Sequence, residues 1–255
     1  MMPRLDPAFL GTPLAHRALH DVKDGRPENS RAAIRAAIEH GYGIEIDVQL
    51  TADNSAVAFH DYALDRLAEG AGPVRALPAS ELAKTRLRGG SEGIPDLTEV
   101  LGLVAGRVPL LIEIKDQDGA MGPQIGPLET ATAQALETYE GPVAVMSYNP
   151  HSTARMAELC PHIPRGLVTE AFDPGGWPFP RAVGDRLREI PDFDRARASF
   201  ISHDASDLSR PRVAELKAQG ANILCWTVRS PEAEAEARKI AENVTFEGYL
   251  AAHPG

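Results

Sequence analysis

Short β-branched or aliphatic runs recur along this 255-residue chain, separated by stretches whose apolar positions repeat at helical spacing. The runs cover 14–18, 43–48, 109–115, 142–147, 165–169, 199–203, 221–228 and 246–251. Several intervening helices have readable starts: Asn29 or Ser30 before the Ala/Ile periodicity of 31–40, Asp96 before Leu97 to Val104, and Pro231 after Ser230. Strands alternating with helices predict a parallel sheet. Eight such units in roughly 250 residues match a closed TIM-type (β/α)8 barrel, here a single domain over 1–255. A doubly wound open sheet is the competitor, but the glycine-rich nucleotide signatures usual for it, G-x-G-x-x-G and G-x-x-x-x-G-K-[ST], are missing from the sequence.

Two of the runs carry charge where a barrel strand should carry apolar side chains. In 43–48, Glu45 and Asp47 share one face and Ile44, Ile46 and Val48 the other, because side chains alternate along a strand. In 111–115, Glu113 and Lys115 lie opposite Ile112 and Ile114. Buried carboxylates are costly unless they are paired or bind a metal. Three oxygen ligands at the ends of strands suit one hard divalent cation, Mg2+ or Ca2+. Ion pairing with Arg17 or Lys115 is the competing explanation, and the recurrence of the pattern in two strands favours the metal.

Two histidines stand at informative places, His16 in the first run and His60 in Ala58-Phe59-His60-Asp61. The segment 51–55 reads as a hairpin turn, so 56–60 forms an extra strand that folds back on the second barrel strand. A turn centred between Asp53 and Asn54 would set His60 opposite Asp47. Two imidazoles beside a cation are equipment for proton transfer near neutral pH. His20, His40, His151, His162 and His253 read as ordinary polar residues, while His203, at a predicted strand end, is a reserve candidate.

Composition narrows the partners. With 43% hydrophobic and 24% charged residues the chain has an ordinary globular make-up. Its formal charge of −10 provides no broad positive field for nucleic acid or an anionic membrane, so phosphate chemistry here needs local cations. Cys160 and Cys225 form no disulfide framework or zinc motif, which fits a reducing cytoplasm. Residues 1–10 lack the basic start and apolar run of a secretory signal, and no apolar stretch reaches the roughly 18 residues of a membrane span. The expectation is therefore a cytoplasmic protein without a membrane span. One long irregular loop, 170–180, contains Pro-Gly-Gly-Trp-Pro and could act as a lid or an oligomer contact.

His16-Arg17, Pro27-Glu28-Asn29-Ser30, Glu45-x-Asp47, Thr51-x-Asp53, His60-Asp61, Glu113-x-Lys115, Ser147-Tyr148-Asn149 and Trp226-Thr227-Val228 together resemble, in order and across nearly the whole chain, the glycerophosphodiester phosphodiesterase family. The resemblance implies a TIM-type barrel, a divalent metal at Glu45, Asp47 and Glu113, and acid/base roles for His16 and His60. It further implies phosphate or substrate contacts from Arg17 and Lys115, support on that side from Glu28 and Asn29, and Trp226 near the pocket wall. The implied activity is metal-dependent hydrolysis of a small glycerophosphodiester to an alcohol and glycerol 3-phosphate.

The chain departs from the family pattern at two points. Ala18 replaces the usual Gly after His-Arg, and Ala251-Ala-His-Pro254 replaces a Thr-Asp-x-Pro-like ending, with apparent loss of an acid near the active face. The stretch 61–96 leaves little room for the inserted domain of some relatives, so substrate choice falls to the βα loops. Two other functions are compatible with these residues. Lysophospholipase D-type cleavage would need an apolar trough, for which Phe172, Trp177 and Phe179 are candidates. A noncatalytic phosphodiester-binding protein would follow if the change at Ala251-Ala252 had ended turnover.

Overall fold

The computed structural model describes residues 3–173 and 175–253, so Pro174 of the predicted loop and Pro254 of the C-terminal segment lie outside the described residues. The elements in chain order are α1 (Ala8–Gly11), β1 (Leu14–Ala15), α2 (Arg31–Glu39), β2 (Gly43–Leu50), β3 (Ala56–Ala58), α3 (Ala79–Leu82), α4 (Leu97–Val104), β4 (Leu110–Ile114), α5 (Pro127–Leu136), β5 (Val143–Ser147), α6 (Pro150–Leu159), β6 (Arg165–Thr169), α7 (Arg181–Leu187), β7 (Phe200–Asp204), α8 (Pro211–Ala218), β8 (Asn222–Val228), α9 (Pro231–Ala237) and β9 (Asn243–Phe246). Ser30, Asp96 and Ser230 each accept a backbone N–H from the first turn of the helix they precede, as their positions in the sequence predict.

Strand order is β1-β9-β8-β7-β6-β5-β4-β2, all parallel, and the β1–β2 pairing closes the barrel. β3 pairs antiparallel with the end of β2 as the predicted extra hairpin. The Ile and Val positions of β2 and β4 pack outward into the main apolar layer beneath the helices. The alternate positions face the barrel axis. Its lower part is filled by Leu5 and Phe9, from the segment carrying α1, together with Leu14, Leu111, Ala144, Val168, Phe200 and Leu224. Gly166 makes room for this filling, since a Cβ there would lie 2.3 Å from the Phe200 ring.

Three sequence expectations need correction. The first strand ends at Ala15 rather than residue 18, because Arg17 and Ala18 have φ of 51° and 62° and turn the chain out of the sheet. Ala18 thus occupies a conformation that glycine adopts at no steric cost. The last strand is Asn243–Phe246 rather than 246–251; after Phe246 the backbone turns through Gly248 at φ +80°. The hairpin register is also one residue off. Thr51 N–H bonds to the Ser55 carbonyl, leaving a three-residue loop with Asn54 at φ 58°, so the turn centres on Asp53 and Asp47 lies across from Phe59.

β3 and the residues between it and α4 form a small excursion with its own apolar cluster, including Val57, Phe59, Leu64, Val74, Leu82, Leu87 and Ile94. It stands at the end of the barrel where β2 passes into β3. Among the described residues, no helix is long and apolar enough to cross a membrane.

Candidate active site

At the C-terminal ends of the strands the inward positions change from apolar to ionisable, which is where a (β/α)8 barrel places its chemistry. They open on a cavity of about 150 Å3 lined by His16, Arg17, Glu45, Asp47, His60, Glu113, Lys115, Met146, Tyr148, Trp226, Thr227, Arg229 and Thr245. The structure therefore brings together eight of the ten residues singled out from the sequence. The other two, Glu28 and Asn29, stand immediately behind the lining.

One carboxylate oxygen each from Glu45, Asp47 and Glu113 lies within 4.8 Å of the others. The β2–β4 register pairs Asp47 with Glu113 directly, which is why alternate positions of two neighbouring strands converge. Lys115 Nζ donates to Asp47 Oδ1 at 2.7 Å and to Glu113 Oε1 at 2.6 Å. Asn29 Nδ2 donates to Asp47 Oδ2 at 3.0 Å, and the Arg17 backbone N–H donates to Glu45 Oε2 at 2.8 Å. Burial, reinforced by Asp47 and Glu113, drives the Glu45 carboxyl well above its ordinary range. For Asp47, burial works in the same direction, but Lys115, His60 and Arg17 outweigh it and hold the group ionised. Three acids meet two fixed cations here, so the third carboxyl has no countercharge of its own and ionises fully only if a further cation joins the cluster.

Each histidine is held through Nδ1. His16 Nδ1 donates to Glu247 Oε2 at 2.6 Å, and His60 Nδ1 to Asp61 Oδ1 at 2.7 Å. Burial lowers the pKa of both imidazoles despite these partners. Arg66 joins the two sides of the site: its guanidinium donates to both Asp61 oxygens at 2.7 Å and to Glu28 Oε1 at 2.7 Å. Glu28 in turn accepts from Arg17 Nη1 at 2.6 Å. His60 itself lies beyond the last ladder bond, Phe59 N–H to the Asp47 carbonyl, and its own carbonyl accepts from Gln49 Nε2 at 3.1 Å.

The sequence reading missed Glu247, and it misplaced the terminal acid. The missing acid is not at Ala251, a buried residue whose carbonyl accepts from Tyr42. Glu247, just past β9, supplies a carboxylate to the active face. The signal was present in the alternation Asn243-x-Thr245-x-Glu247, which continues the inward polar positions of β9 one step past its end. Arg66 and Arg229 were also missed; Arg229 donates to Glu247 Oε1 at 2.8 Å. His203 does not reach the cavity. It is buried on the outward side of β7, with its ring nitrogens toward Thr169 and Asp207.

Among the described residues of the 170–180 loop, the three rings pack into a cluster rather than an open trough. Phe172 is buried, and Trp177 and Phe179 stack on one another, with Tyr148 completing the cluster. Trp177 Nε1 donates to Glu170 Oε1 at 2.5 Å, tying the loop to the end of β6.

The Bacillus subtilis protein YhdW is 29% identical to this chain over 88% of each sequence. A glycerophosphodiester phosphodiesterase of Caldanaerobacter subterraneus is 34% identical over 61% of this chain and 65% of its own length. A phosphodiesterase from Oleispira antarctica, solved with its product sn-glycerol-3-phosphate, superposes with a TM-score of 0.76 over 94% of both chains at 23% identity and thus shares the fold. The profile of the glycerophosphoryl diester phosphodiesterase family matches residues 16–248, a span that opens on His16 and takes in the whole ionisable lining as well as Glu247. With barrel, cavity and profile in agreement, the chain belongs to that family.

Proposed function

We propose that the protein hydrolyses small glycerophosphodiesters to an alcohol and glycerol 3-phosphate. The observation that carries this reading is the convergence, in one small cavity, of three carboxylates, two fixed cations and two carboxylate-held imidazoles. The oxygen-only donor set, in which Glu45 is a buried carboxyl without a countercharge of its own, fits one divalent cation, Mg2+ or Ca2+, held by Glu45, Asp47 and Glu113. Bound there, the ion would supply Lewis-acid polarisation of a phosphoryl oxygen.

The chain's own groups divide the remaining work. Arg17 and Lys115 bind nonbridging phosphate oxygens and stabilise the charge that grows on them in the transition state. Glu28 and Asn29 fix Arg17 and Asp47 in place. His16 and His60, each with Nδ1 on a carboxylate, present Nε2 to the substrate. One takes the proton of the nucleophile and the other returns one to the leaving alkoxide. The same constellation serves direct attack by water or prior attack by the glycerol 2-hydroxyl. The Trp226 ring walls the cavity beside Tyr148. Cys160 and Cys225 are free, buried thiols, which supports a cytoplasmic setting.

Release of glycerol 3-phosphate from glycerophosphocholine and related diesters, with added Mg2+ or Ca2+, tests the proposal. The expected result is steady turnover that chelator abolishes and that Glu113→Ala lacks. The proposal fails if no diester in the panel is cleaved with either ion, or if Glu113→Ala stays fully active in excess chelator.

A further inference from the structure

A second set of metal-ligating atoms lies beside the first. His16 Nδ1, His20 Nε2 and a Glu247 oxygen are within 4.8 Å of one another. Both imidazoles approach the same oxygen, Oε2, at 2.6 Å from His16 and 3.5 Å from His20. The left-handed residues Arg17 and Ala18 turn the chain so that two histidines four positions apart meet one carboxylate from beyond β9. His16 has an evident hydrogen bond in this group, but His20 does not. Its Nε2 is buried and, although 3.5 Å from Glu247 Oε2, makes no hydrogen bond, an arrangement that is costly unless something else satisfies the nitrogen. An open cavity of about 560 Å3, lined by His20, Asp21, Glu247 and Tyr249 among others, gives access from solvent.

We infer that His16, His20 and Glu247 form a separate site for Zn2+ or a similar borderline cation, and that filling it switches the enzyme off. Two imidazoles and one carboxylate suit zinc, whereas the oxygen-only cluster of Glu45, Asp47 and Glu113 suits Mg2+ or Ca2+. Metal–ligand bonds of about 2.05 Å in a tetrahedron separate ligand atoms by roughly 3.3 Å. The His20–Glu247 spacing already meets this, and the His16–Glu247 pair must open by less than 1 Å once no proton lies between them. Three protein ligands leave the fourth position for water.

The inhibition follows from the tautomer and rests on the role proposed above for His16. In the metal-free site the ring proton is on Nδ1, in the bond to Glu247, and the Nε2 lone pair faces the cavity. A cation on Nδ1 sends that proton to Nε2. His16 can then no longer cycle between imidazole and imidazolium, which both acid and base roles require. Because the ligands differ from those of the activating ion, raising Mg2+ should not relieve the inhibition.

The test titrates Zn2+ into Mg2+-saturated wild type and His20→Gln while turnover is followed. Co2+ in place of Zn2+ gives a visible absorption that reports nitrogen ligation independently of activity. The expected result is inhibition of wild type that excess Mg2+ does not reverse, with the midpoint raised roughly tenfold or more in His20→Gln. Basal turnover and melting temperature of the variant should match wild type, and its Co2+ absorption should be lost. Equal Co2+ spectra and equal inhibition in the two proteins would overturn the site, and a bound Co2+ without inhibition would overturn the switch. Failure to cleave any diester would instead defeat the proposed function, while the Co2+ spectrum still reported on the site.

Discussion

His60 and His16 are each fixed by a carboxylate on Nδ1, but their partners come from very different distances along the chain. Asp61 adjoins His60, whereas Glu247 comes from beyond the last strand. Asp61 is itself held by both arms of the Arg66 guanidinium, so the His60 ring is fixed by a bonded chain ending at Glu28 and Arg17. Burial lowers the His60 pKa, and Asp61 is one of the groups that oppose the shift. Asp61→Asn removes a raising interaction, so the His60 limb of the pH–rate profile should move to lower pH, whether His60 acts as acid or base. Turnover should also fall roughly 10²-fold, the low end of what a general acid or base contributes. A profile and rate indistinguishable from wild type would show that Asp61 does not orient a working imidazole. The residue scale also shows what a sequence reveals: His60-Asp61 is legible as a unit because its members are adjacent. The His16–Glu247 pair depends on barrel closure, which no local pattern encodes.

Strands β2, β4 and β9 share one inversion, with apolar residues outward toward the helices and polar ones inward. In β2 and β4 the outward residues are Ile and Val, so the strands were legible from their aliphatic content and the acids stood out against it. In β9 only Val244 and Phe246 are apolar, while Asn243 and Thr245 are buried inside the barrel, and an aliphatic-run criterion slides past it to 246–251. The hairpin shows the complementary limit. Its existence is legible from the turn residues, but its register depends on whether the loop has an odd or even number of residues, and the left-handed Asn54 makes it odd. With Phe59 across from Asp47, the ladder alone does not bring His60 to the site. The bend after Phe59 does, and Gln49, at the inward position after Asp47, clamps it through the His60 carbonyl. Gln49→Ala should therefore cut turnover roughly ten- to a hundredfold, the scale of an ångström-sized misplacement of a reacting group, with little change in circular dichroism. Wild-type kinetics in that variant would mean that the apolar cluster under the excursion, rather than the clamp, sets the bend.

Across the whole molecule the barrel interior is divided into an apolar floor and an ionisable mouth, and the division has an energetic reason. A carboxylate cluster can be tolerated near the open end, where a cation and substrate reach it, but charges at the closed end would lack partners. The floor is closed by Phe9 of α1, fully buried among Leu14, Leu111, Phe200 and Leu224. Asn243 holds that plug by donating to the carbonyls of Phe9 and Thr12, both at 2.6 Å, so an inward polar residue of β9 is used to secure the N-terminal segment. Removing the ring leaves a cavity that close-packed strands cannot collapse to fill, and Phe9→Ala should cost about 3–5 kcal/mol of stability. For a protein of this size that corresponds to a melting temperature lower by about 10 °C. The active-site groups sit at the other end of the strands, so kcat/KM measured well below the transition should stay within about twofold of wild type. Thermal unfolding followed by circular dichroism, alongside diester turnover at low temperature, checks both halves. An unchanged melting temperature would refute the packed floor, and a stable but inactive variant would show that the plug shapes the catalytic mouth as well as the core beneath it.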